Sequence, residues 1–141
     1  MMRWINVREK IMLSYLFIGA NDVRASLRFY DAVLAPLGYE KNLLEGHFCF
    51  SLSDTSDKSN GPGSIHIAQP FDGEPATVGN GIMPALRAHS CEKVDEAYIA
   101  GLNSGGTGEG KPGIRDAYTE NFYVAYLRDP VGNKLAVFFK G

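Results

Sequence analysis

The sequence predicts an α+β fold: two βαβββ modules whose curved mixed sheets form a cup, with the helices packed outside. Three observations carry this. The order strand, helix, strand, strand, strand is legible twice, over residues 12–69 and again over residues 80–140. Between the two lies PFDGEPATVGNG, residues 70–81, with the Pro/Gly density of a crossing between halves. Near the end, VAYLRDPVGNKLAVFF, residues 124–139, sets two apolar strands around a turn whose chemistry is fully specified. Asp129 accepts the first turn hydrogen bond, Pro130 presets its own φ and Gly132 lets the chain exit, which makes a hairpin.

Taken in order, MLSYLFIG at residues 12–19 reads as the first strand. Asn21 or Asp22 then caps a helix, on which Val23, Leu27, Tyr30, Leu34 and Leu37 recur at three- and four-residue spacing. Pro36 is tolerated only in the last turn, and Gly38 suits the left-handed exit. Strands follow at residues 39–44, 47–52 and 64–69, and the polar turn cluster DTSDKSNGPG, residues 54–63, reads as a mobile hairpin loop. In the second module residues 82–88 make a strand, and Ser90 caps a helix with Val94, Ala97, Tyr98, Gly101 and Leu102 on one face. Residues 105–113 read as a flexible loop, with strands at about residues 117–127 and 134–140. Strand side chains alternate, so Leu16 and Ile18 go under the helix while Tyr15 and Phe17 look into the cup. In the last strand Leu135, Val137 and Phe139 pack outward and Ala136 and Phe138 look in.

Composition bounds the function. A chain of 141 residues, 45% hydrophobic and 21% charged, has the makeup of one compact domain, taken as residues 12–141 after an N-terminal extension at residues 1–11. A net charge of −2, with no Lys/Arg cluster interleaved with aromatics, argues against nucleic acid. Two cysteines, Cys49 and Cys91, are too few for a disulfide framework, and a reducing cytoplasm fits. No apolar run approaches the roughly 20 residues that cross a bilayer, so no membrane is expected.

The end of the first strand with its Gly-Ala-Asn-Asp, the SLRFY of the following helix, the PFDGEP linker, the Asn80-Gly81 opening of the second half and the RDPVGNKL hairpin occur here in a telling order. In that order they resemble the glyoxalase / bleomycin-resistance / extradiol-dioxygenase superfamily, the vicinal oxygen chelate fold. The resemblance implies a ligand cup and a homodimer. It also implies, in metal-dependent relatives, one divalent ion held from four strands. Those positions fall on Tyr15, His66 or its neighbour, Met83 and Ala136, of which only His66 is an ordinary ligand type. The usual metal site is therefore expected to be absent, and no cofactor is expected; a divalent metal ion is the alternative.

The candidate catalytic residue is His66, set against a core histidine satisfied by hydrogen bonds. The candidate ligand-binding residues are Tyr15, Phe17, His66, Met83, Arg87, Tyr123 and Phe138, an aromatic and polarizable wall suited to a planar or apolar organic molecule. Tyr118 and Tyr126 are further sources of hydroxyls. Their bland alternative is that these residues fill the cup themselves. An unconventional metal site from His47, His66 and Glu120 is the lesser possibility, and Cys49, flanked by Phe48 and Phe50, reads as a structural thiol. GGTGEGKPG follows a helix instead of opening one and is not a phosphate cradle. The expected function is binding of a small organic molecule without metal, by sequestration or acid-base chemistry. The alternative is a metal-dependent lyase, isomerase or dioxygenase with non-standard ligands.

Overall fold

The computed structural model describes residues 12–141, so the expected extension at residues 1–11 lies outside the described residues. The first module runs β1 (Tyr15–Gly19), α1 (Val23–Leu34), β2 (Tyr39–Leu44), β3 (His47–Leu52) and β4 (Ser64–Ala68). The second runs β5 (Ala85–Arg87), α2 (Cys91–Asn103), β6 (Thr107–Ile114), β7 (Phe122–Arg128) and β8 (Lys134–Lys140). Each module makes a four-stranded mixed sheet, in the orders β1-β4-β3-β2 and β5-β8-β7-β6, with the first-named pair parallel. The fold is α+β, as the strand and helix periods require.

The caps form where the side chains allow them. Asp22 sits in extended backbone and accepts from the Ala25 amide at 3.1 Å, and Ser90 accepts from the Lys93 amide at 3.2 Å. After α1 a single 3₁₀ turn, Ala35–Leu37, carries Pro36, and Gly38 leaves it at φ 87°. The buried stripe of α1 is Ser26, Phe29, Tyr30, Val33 and Leu34, rotated from the predicted one. Phe29 and Val33 take the centre, and Val23 and Leu27 only flank it. One core joins both helices to the helix-side faces of both sheets, with Phe50, Ile65 and Ile67 from the first and Leu127, Leu135 and Val137 from the second. At the helix crossing a Cβ on Gly101 would lie 2.9 Å from Leu127 Cδ1 and 3.0 Å from Val33 Cγ2, so only glycine lets the elements approach this closely.

Four sequence expectations are corrected. β5 covers three residues instead of seven: Pro84 has no N–H to pair, though its carbonyl accepts from the Ala136 amide at 2.9 Å, and Met83 lies before the strand. Residues 107–114 form a strand, not a loop, because β7 pairs with their backbone across register shifts on either side of Gly110. β7 starts at Phe122, after a turn in which Asn121 takes φ 56°. The segment 54–63 is tied down: Asp57 Oδ1 accepts from the Ser59 and Asn60 amides at 3.1 and 2.9 Å, and Lys58 pairs with Glu40 at 2.8 Å.

The RDPVGN turn is a hub between the modules. Asp129 is buried, and its Oδ1 accepts from the amides of Val131, Gly132 and Asn133 at 2.9–3.0 Å. Its Oδ2 accepts from Tyr30 Oη on α1 at 2.6 Å and Asn133 Nδ2 at 3.1 Å. Asn133 Oδ1 in turn accepts from the Gly79 amide at 2.8 Å, which fixes the linker.

Candidate functional site

The face of the first sheet turned away from the helices carries Tyr15, Phe17, His47, Cys49 and His66, since Phe17, His66 and Cys49 stand in register across β1, β4 and β3. His66 is buried beneath segment 54–63. Its Nε2 lies 2.7 Å from the Ser59 carbonyl and its Nδ1 2.8 Å from His47 Nε2. A carbonyl only accepts, so His66 donates from Nε2, and its Nδ1 is engaged with His47 Nε2. Tyr15 tilts against the His66 ring at 5.0 Å between centroids. Burial pushes the Cys49 thiol up, which leaves it a packed, unreactive group.

On the second sheet the corresponding face carries Arg87, Phe122, Val124, Tyr126, Lys134, Ala136 and Phe138. The Arg87 guanidinium lies over the Phe138 ring at 4.9 Å, and Phe138 meets Phe122 at 5.4 Å. Tyr123 is one residue out of phase. It shares the helix side with Ala125 and Leu127, packs against the core and donates its hydroxyl to Asp95 Oδ1 on α2 at 2.6 Å. That bond pushes its phenol up to about 12, with smaller contributions from burial and from the negative charge of Asp95. The period of two against Ala125 and Leu127 was the signal for this, and Tyr126 is the tyrosine that faces away from the helices. Met83 stands exposed outside β5, whose positions facing away from the helices go to Ala85 and Arg87.

The expected ligand wall is thus divided. Tyr15, Phe17 and His66 belong to one sheet and Arg87 and Phe138 to the other, and among the described residues no hydrogen bond, ion pair or ring contact joins the two groups. A different concavity does join the modules. A cleft of about 720 Å³ lies between β1, the linker and the start of β8, lined by Leu16, Phe17, Ile18, Tyr30, Pro70, Phe71, Pro75, Ala76, Gly79, Ile82, Pro84, Asn133 and Lys134, among others. Its roof is pinned at two points: Asn21 exchanges two hydrogen bonds with the Ala76 backbone, at 2.7 and 3.0 Å, and Asn133 holds Gly79. Only Phe17 of the predicted ligand residues lines it. Its walls come from a linker that the sequence marked as a crossing and from hydrogen bonds between distant segments, which no local pattern reveals.

Solved structures place this geometry. A glyoxalase/bleomycin resistance protein from Albidiferax ferrireducens T118 is 36% identical, matching 93% of this chain and 100% of that one, with a TM-score of 0.78. The chain belongs to the glyoxalase/bleomycin resistance protein family. Two more distant structures share the fold: a glyoxalase/bleomycin resistance protein/dioxygenase family enzyme from Burkholderia phytofirmans PsJN and a glyoxalase-related enzyme from Fulvimarina pelagi. The first is 17% identical over 91% of this chain and 98% of that one, TM-score 0.63; the second is 16% identical over 91% and 87%, TM-score 0.65. No family model matches the chain, and no curated protein does.

Set against the ligand positions that the metal-dependent members of the glyoxalase/bleomycin resistance family use, the donors here do not fit a divalent ion. Both His66 nitrogens are engaged, Met83 has left its strand and the buried Ala136 offers no donor atom. Among the described residues no three His, Cys, Asp or Glu side chains converge elsewhere. Nor is any described helix long and apolar enough to cross a membrane.

Proposed function

We propose that this protein binds a small, mainly apolar organic molecule in the cleft between its modules and does so without the family's metal ion, acting by sequestration. The observation that carries this reading is the cleft itself: about 720 Å³, within the range of small-molecule sites, with apolar walls and a roof held by Asn21 and Asn133. A roof already fixed in place lowers the ordering cost of binding. The engaged nitrogens of His66 support the metal-free part, and for the same reason His66 is read as a structural residue instead of an acid or base.

The reading includes a homodimer. Among the described residues β1 and β5 are each unpaired on one edge, and Leu13, Phe71 and Ile82 stand exposed near the first of them.

The test uses N-phenyl-1-naphthylamine, a neutral dye whose fluorescence rises in apolar surroundings. The folded chain gives a saturable rise, and Ala76→Trp, which fills the cleft from its roof, abolishes the rise without unfolding the protein by circular dichroism. A saturable rise that Ala76→Trp leaves unchanged refutes the cleft as the site.

A further inference from the structure

Two asparagines in the chain precede glycine, Asn60 and Asn80, and the fold puts them in opposite settings. Asn-Gly is the pair in which a backbone amide most readily attacks the side chain before it, because glycine has no Cβ to block the approach and turns freely about its own bonds. The attack closes a cyclic imide, so the chain must also be able to bring the glycine nitrogen onto the asparagine Cγ. Local structure then decides which pair reacts.

Asn60-Gly61 is locked. The Asn60 amide donates to Asp57 Oδ1 at 2.9 Å, its carbonyl accepts from the Ser14 hydroxyl, and the Gly61 carbonyl accepts from the Ser64 amide at 3.1 Å. Gly61 is buried, and a Cβ there would lie 2.3 Å from Thr55 Cγ2 and 2.4 Å from the Asp57 carbonyl oxygen, so the peptide has no room to turn. Asn80-Gly81 is open. Both residues are exposed in a turn of the linker, and a Cβ on Gly81 would meet nothing within 4 Å. Among the described residues neither the Asn80 side chain nor the Gly81 amide has a hydrogen-bond partner.

The open turn is held at both ends. On one side the Gly79 amide donates to Asn133 Oδ1 at 2.8 Å, and on the other the Pro84 carbonyl accepts from the Ala136 amide at 2.9 Å. Gly79, Ile82 and Pro84 all line the cleft. An extra main-chain atom between the two pins has to be taken up by residues 80–83, Ile82 among them.

We propose that Asn80 is a site of spontaneous modification by water, which converts it to isoaspartate and reshapes the cleft wall at Ile82. The Gly81 nitrogen bonds to Asn80 Cγ as the Cγ–Nδ2 bond breaks, and Nδ2 leaves as ammonia with the Gly81 amide proton. Water then opens the imide. Addition at the main-chain carbonyl carbon breaks its bond to the Gly81 nitrogen, which routes the chain through Cβ and Cγ and leaves a new carboxylate; addition at Cγ gives ordinary aspartate. This chemistry belongs to the chain itself and holds whether or not the cleft takes a ligand.

Peptide mapping by mass spectrometry with electron-transfer fragmentation tests this on the full chain, stored warm at mildly alkaline pH. Both pairs fall on one tryptic peptide, residues 59–87, so each is the other's control. In the folded protein Asn80 converts at least about tenfold faster than Asn60, because freeing Asn60 first breaks hydrogen bonds. In guanidinium chloride the two rates converge. Gly81→Ala keeps the parent's circular dichroism and slows conversion at residue 80 severalfold, since its Cβ hinders the attack. Amide NMR of the converted chain shows Gly79 and Ile82 shifted. Asn80 intact in the fold while the unfolded chain converts, equal rates at Asn60 and Asn80 in the fold, aspartate as the sole product, or unmoved Gly79 and Ile82 resonances overturns the proposal.

Discussion

Tyr30 ties the first helix to the second module through one hydroxyl. Its hydrogen bond to Asp129 is short, buried and made to a carboxylate, the class of bond worth about 1.5–3 kcal/mol. Tyr30→Phe is expected to lower stability by that order in urea unfolding, since Asp129 keeps its four other donors. Burial, followed by the negative charge of Asp129 and the bond to it, holds the Tyr30 phenol well above its ordinary range. In the unfolded chain a tyrosine ionises near pH 10. The folded state therefore retains a proton that the unfolded state loses: the contribution is complete below about pH 10 and declines as pH rises beyond it. Tyr30→Phe should flatten that alkaline decline, though Tyr123, raised by its bond to Asp95, and Tyr39 and Tyr126, raised mainly by burial, keep part of it. An alkaline limb identical in the variant and the parent would mean that the phenol titrates freely in the fold.

At the scale of elements, β6 is the instructive case. TGEGKPGI has the composition of a loop, and nothing local in it asks to be a strand. What makes it one is β7 alongside and the space its glycines leave. A Cβ on Gly108 would meet the Tyr98 hydroxyl at 2.6 Å, and one on Gly106, at the approach to the strand, would meet Phe29 Cε2 at 2.3 Å and the Arg128 carbonyl at 2.9 Å. Gly106→Ala should then cost about 1–3 kcal/mol by overpacking. Gly81→Ala, with nothing within 4 Å and no left-handed φ, should be near neutral. Comparable thermal shifts for the two would show that β6 does not pack as described. The caps at Asp22 and Ser90, the 129–132 turn and the inward and outward sets of β1 and β8 were legible because each depends on a residue and its near neighbours. The length of β5 and the fixing of segment 54–63 were not, since the strand's pairing with β8 and the Ser59 carbonyl's contact with His66 exist only once distant chain is in place. Tyr123 was misplaced although Ala125 and Leu127 marked its side, because a tyrosine hydroxyl suits a ligand as well as it suits Asp95.

Over the whole molecule the α+β architecture could be read from a repeated element order, while the cleft could not, because it exists only where the linker, β1 and β8 meet. Family membership follows from the 36% identical structure that matches nearly all of the chain. The edges of β1 and β5, unpaired among the described residues, lead to the expectation of a dimer by sedimentation equilibrium, and a monomer across the accessible concentrations would contradict it. Ligand binding without metal is the central claim. The most direct measurement is N-phenyl-1-naphthylamine affinity before and after exhaustive dialysis against EDTA, alongside elemental analysis of protein purified without chelators. The account predicts the same dissociation constant in both samples and no stoichiometric Zn, Ni, Mn or Fe. A metal retained at one per chain, with affinity that falls on chelation and returns when that ion is restored, would contradict it.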